Sequence, residues 1–114
     1  MWRQDASAAA KATQAVAAST LAMIGEHRPH VREPVLLAYR DASELQHIRD
    51  LHDFVPTNQW QAQWLGDLNQ NAASLSNMAA MLRSTDDPLA DAVHEVAVAV
   101  ALSVALIAAA PLAD

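Results

Sequence analysis

Apolar residues recur along the chain at helical intervals, and strand-like alternation is absent. The first run repeats as Ala9, Ala12, Val16, Thr20 and Met23, and Gly25 follows it. Glycine just past a periodic segment is a helix stop, because it takes a positive φ without steric cost. The spacing therefore predicts helix one from about Asp5 or Ser7 to Ile24. Its small residues imply close approach to a neighbour. A loop from Glu26 to Glu33 is expected next.

Pro34 suits the first position of a helix, where its missing N–H would be unbonded anyway. Helix two is expected from there to about Phe54, with Leu37, Leu45, Ile48, Leu51 and Val55 as its apolar stripe. At 100° per residue, Asp41, Glu44 and His52 fall inside that stripe and His47 falls on its edge. Here polarity sits on a face that should be buried. The expected outcome is that helix two lies at the outside of the fold and lets these groups reach water. An internal network or a bound cation are the alternatives.

Pro56 breaks the chain and Thr57 is a fitting N-cap. Helix three is expected to run to about Arg83. Its seam reads Trp64, Leu68, Asn71, Leu75, Met78, Leu82, a heptad spacing. Asn71 in the seam predicts an amide that sets register. Ala72, Ala73, Ser76, Ala79 and Ala80 on the reverse side leave room for a second helix. Gly66 disfavours a helix interior, so a tight contact beside Trp64 is expected to offset it. Asp87 caps helix four, Pro88 opens it, and Asp91 lies in its first turn, where an acid suits the helix dipole. Helix four reaches about Ala110 and is apolar all round from Val96. The turns are short, so neighbours should be antiparallel. The expectation is an all-α fold, a single up-down four-helix bundle over residues 1–114, pairing as a homodimer through helix four.

Composition agrees: Ala occurs 26 times and Gly twice in 114 residues. The chain has no Cys, which excludes thiol chemistry and disulfides. Charge changes the picture more. The net charge of −6 is concentrated in residues 51–114, where Arg83 is the one basic residue. Phosphate recognition needs clustered Lys and Arg, so no nucleic-acid partner is expected. An acidic face suits a basic protein partner. Helix four lacks basic flanks, and Pro111 stops it early, so no membrane span is expected. The opening residues do not form a secretory leader, and a cytoplasmic location follows as the expectation.

Four patterns carry possible chemistry. Glu44-Leu45-Gln46-His47 and Asp91-Ala92-Val93-His94 each put a carboxylate and an imidazole on one helix face. These segments resemble the Glu-x-x-His units of ferritin-like di-iron proteins, which implies a divalent metal on Glu44 and His47. Helix one lacks the bridging acid such a site needs, and the two units lie about 9 Å out of level at 1.5 Å per residue. The cluster Glu26, His27, His30 and Glu33 has zinc-compatible groups, but a partner-facing loop containing His27 and His30 is the better reading. Arg40 and His47 have the spacing of, and resemble, the HEPN ribonuclease signature, which implies action on a scissile phosphate. Trp64-Leu65-Gly66 resembles the Trp-x-Gly turn of small secreted helical-hairpin proteins, although here it falls inside helix three.

No catalytic set emerges from these patterns. The expected function is a non-enzymatic protein–protein interaction module of inhibitor, immunity, adaptor or assembly type, acting through a rigid acidic helical surface without a cofactor. Asn71, Trp64, His27 and His30 are its candidate interaction residues. The alternative is a ligand- or metal-binding bundle with its site near Glu44 and His47.

Overall fold

A computed structural model describes every residue except His52 and Asp114. The described residues form four α-helices: α1 (Trp2–Ile24), α2 (Pro29–Leu45), α3 (Asn58–Ser84) and α4 (Ala90–Ala108). A 3-10 turn, Gln46–Asp50, follows α2. They show no strand. The molecule measures 46 × 21 × 19 Å. At 1.5 Å per residue the 27 residues of α3 alone span about 40 Å, most of the long axis.

Hydrogen bonds fix the directions. Trp2 Nε1 donates to the Leu106 carbonyl and Thr13 Oγ1 to that of Ala99, so α1 and α4 are antiparallel. Ser7 Oγ donates to the Gln46 carbonyl, and Gln14 Nε2 donates to Ser43 Oγ, so α1 and α2 are antiparallel too. Gln61 Nε2 reaches the Ile107 carbonyl, which sets α3 against α4 in the same sense. This is an up-down-up-down bundle, as the short turns predict. Three of its edges, α1–α2, α1–α4 and α3–α4, are closely packed, and the α2–α3 edge is loose.

α1 buries Ala6, Ala9, Ala10, Thr13, Ala17, Thr20 and Ile24. This face is rotated from the expected stripe, since Ala12 is exposed and Met23 is 58% exposed. Alanine occurs on every side of α1, so its pattern does not define a phase. The small face allows close approach, and α2 answers with Val31, Val35, Ala38 and Ala42.

That contact also corrects helix two. It begins at Pro29, not Pro34, and Pro34 lies inside it. An interior proline removes one backbone bond and costs about 3 kcal/mol. Burial of Val31 and Val35, both fully enclosed, offsets that cost. The expected loop Glu26–Glu33 is therefore largely helix. At the other end the α-helix stops at Leu45 rather than near Phe54. Leu45 and Ile48 are buried as expected, but Leu37, Leu51 and Val55 are exposed.

α3 follows its heptad reading. Leu68, Asn71, Leu75 and Leu82 are buried, and Trp64 and Met78 pack against the core. Thr57 caps it by accepting from the Trp60 N–H at 3.1 Å. Of the reverse side only Ala79 is buried, while Ala73, Ser76 and Ala80 face outward. Gly66 is exposed, and a Cβ there would meet nothing within 4 Å. The tight contact expected beside Trp64 is absent. α4 begins at Ala90 with Leu89 as its N-cap and no side-chain cap bond, so Asp87 and Pro88 do not open it. Asp87 instead accepts from the Leu89 N–H at 2.9 Å in the turn before the helix. Gly25 ends α1 with φ 69°.

Candidate functional site

The loose edge of the bundle opens into a groove of about 580 Å³. α2 lines it with His30, Glu33, Pro34, Leu37 and Asp41. α3 lines it with Asp67, Gln70, Asn71, Ser74 and Met78. The two sets have the same internal spacing, steps of three, one, three and four. Such steps keep residues on one helix face, so each helix offers one continuous stripe. Leu37 is 45% exposed because it faces this opening and not the core.

The groove is polar on its floor and acidic at one end. Asn71 is only 2% exposed, and its Nδ2 donates to the Pro34 carbonyl at 3.0 Å. This bond joins α3 to α2 and agrees with a register role for Asn71. Its Oδ1 is buried without a hydrogen-bond partner. A buried acceptor left unpaired costs about 1–3 kcal/mol, so the fold carries an unmet demand for a donor here.

Asp41 and Asp67 come together where the two helices near the lower end of the groove. Burial, then the charge of Asp67, then that of Glu44 push the Asp41 carboxyl up from 3.8 to about 6. The groove lining contains no Lys or Arg. Among the described residues, none of Glu33, Asp41 and Asp67 belongs to an ion pair.

The expected site residues separate. Glu44 and His47 are both exposed. His47 lies on the 3-10 turn, beyond the end of α2, 4.0 Å from Asp50. The break at Leu45 thus removes the shared α-helical face on which a Glu-x-x-His unit depends. The described residues contain no group of three or more His, Cys, Asp or Glu placed to hold a metal ion. His52 lies outside the described residues. His27 is exposed in the turn before α2, while His30 sits at the upper end of the groove. Glu26 and Glu33 line a second, smaller cavity of about 370 Å³ with Pro29, Arg32 and Leu36. Asp91 is exposed and pairs with Arg83 at 3.3 Å, and His94 is exposed.

Two features of the site lie outside the sequence expectations. The first is the pairing of Asp41 with Asp67, which lie on different helices. The second is an aromatic cap closing the lower end of the bundle. Trp2 and Phe54 each contact Trp60 edge-on, at centroid distances of 6.0 and 5.1 Å. Arg3 donates to the Phe54 carbonyl at 2.7 Å and holds the segment after the 3-10 turn over α1. The clustering of three of the five aromatic residues near expected helix ends was the available signal.

α4 is 19 residues long with a mean hydropathy of 1.8, enough by length and composition to cross a membrane. In the bundle 39% of that stretch is buried. Val93, Val96, Ala97, Val100, Ser103 and Ile107 face the core. Val98 and Leu102, 55% and 58% exposed, face outward with Ala101 and Ala105. No protein-family model, no curated protein and no solved structure matches this chain.

Proposed function

We propose that this chain is a non-enzymatic protein–protein interaction module. It works as a homodimer joined through α4 and presents a rigid acidic helical surface to a protein partner. The observation that carries this reading is the outward face of α4. A helix in a four-helix bundle needs one apolar stripe, and α4 has a second one, Val98, Ala101, Leu102 and Ala105, turned away from its own core. A two-fold contact between two such faces buries both in one step. In this arrangement the α2–α3 edge, which α4 does not form, stays free on each protomer. The divalent-metal alternative draws on Glu44 and His47, whose side chains both reach solvent, and it has less support than the dimer.

Analytical ultracentrifugation tests the reading. The wild-type chain should sediment as a dimer at micromolar concentration, and Leu102→Glu should shift it to monomer without loss of helicity. A wild-type monomer at that concentration would overturn the dimer. A monomer that also partitions onto lipid vesicles through Leu102 would assign the outer face of α4 to a membrane instead.

A further inference from the structure

The groove between α2 and α3 lies away from the proposed dimer face and does not depend on it. Its chemistry is one-sided. Asp41 and Asp67 stand together at one end, and Glu33 stands eight residues up α2, about 12 Å away at 1.5 Å per residue. Between these ends the α2 wall is apolar, with Pro34 and Leu37, while the α3 wall carries Gln70, Asn71 and Ser74. On the floor the Asn71 Oδ1 awaits a donor. The lining thus offers acceptors at both ends and at the floor, with no Lys or Arg to satisfy them.

A bare divalent ion does not suit this lining. The described residues do not gather three ligating groups at one point, and hard cations require several oxygens converging at short range. Spread carboxylates linked by an apolar wall suit positive charges spread along a hydrocarbon chain. Ammonium groups are donors only, which matches the carboxylates of Asp41, Asp67 and Glu33 and the unpaired Asn71 amide oxygen, and a methylene stem covers Pro34 and Leu37. The volume of about 580 Å³ lies in the range of small-molecule sites.

We propose that this groove is a binding site for a linear aliphatic polyamine. One ammonium group sits between Asp41 and Asp67, the stem runs over Leu37, and a second nitrogen lies toward Glu33. A donor on the stem meets the Asn71 amide oxygen. The cation also relieves the repulsion from Asp67 and Glu44, which adds to burial in raising the Asp41 carboxyl.

Spermidine titrated calorimetrically into the full-length chain tests this. One molecule should bind per chain. Asp41→Asn and Asp67→Asn should each weaken binding by about tenfold or more, the scale of one charge-assisted contact. Glu95→Gln, which removes a carboxylate on α4 far from the groove, should leave the affinity within about twofold. The side-chain amide signals of Asn71 should shift in the NMR spectrum of the wild-type chain on saturation, which does not rely on any variant. Absence of binding at about 10 mM spermidine overturns the proposal. Equal weakening by Glu95→Gln also overturns it, since the attraction is then diffuse. Binding of Ca2+ or of a lysine-rich peptide where spermidine fails reassigns the groove to a metal or to a protein partner.

Discussion

Replacing Asp41 by Asn tests the electrostatics of the groove through stability alone. The two side chains are nearly isosteric, so the change removes a titrating charge and little else. In the fold Asp41 titrates near 6 against an ordinary 3.8, raised first by burial and then by Asp67 and Glu44. A folded-state value above the unfolded one makes the contribution of Asp41 most favourable below about pH 4 and erodes it as pH rises through about 6. A shift of about two units corresponds to about 3 kcal/mol at neutral pH. Asp41 is only half-buried, so solvent screening reduces this to about 1–1.5 kcal/mol. Asp41→Asn should therefore match wild type near pH 4 and exceed it by about 1–1.5 kcal/mol near pH 8, or by about 5 °C in Tm for a domain of this size. Urea unfolding followed by circular dichroism across that range reads the difference directly. High salt should remove only part of it, because burial is the largest cause and is not screened. A variant equal to or less stable than wild type at pH 8, or a difference that does not change with pH, would refute the reasoning.

Other substitutions test the packing. Gly66→Ala should raise stability by about 0.5–1 kcal/mol in thermal unfolding, since the new Cβ enters open space on an exposed helix face. A loss would reveal a close contact there. Asn71→Leu removes one hydrogen bond to Pro34 and one unpaired acceptor. It should be neutral or stabilising by about 1 kcal/mol, while broadening NMR signals from α2 as the register tie is lost. Glu44→Ala should change stability by less than about 0.5 kcal/mol with or without chelator, because Glu44 is exposed. Asp87 should behave opposite to Asp41. The Leu89 N–H and then Arg28 hold its carboxyl below the ordinary value, so its stabilisation is present above about pH 4 and is lost on further acidification. Asp87→Ala should flatten the acid limb of a stability–pH profile.

Much of the architecture was legible residue by residue, because helices are local. The seam of α3 could be read because large side chains at heptad spacing alternate with polar ones, which gives the pattern a single phase. Thr57 and Gly25 could be read because a cap depends on residues within one turn. The all-α class and the four helices needed nothing more. α1 was different: with alanine on every side, its sequence fits several faces, and only contact with α2 and α4 selects one. That same contact moved the start of α2 past an interior proline, since burying Val31 and Val35 against a small-residue face outweighs one missing backbone bond. It also left Leu37 outside the core, because a close helix pair prefers the smaller Ala38 and Ala42. The groove is likewise a product of tertiary structure. Asp41 was visible as a polar residue on an apolar stripe, but Asp67 is 26 positions away on another helix. The antiparallel crossing brings the two charges together. Whether a carboxylate is an ordinary surface acid or a strained one depends on the water and the charges around it, and folding sets both.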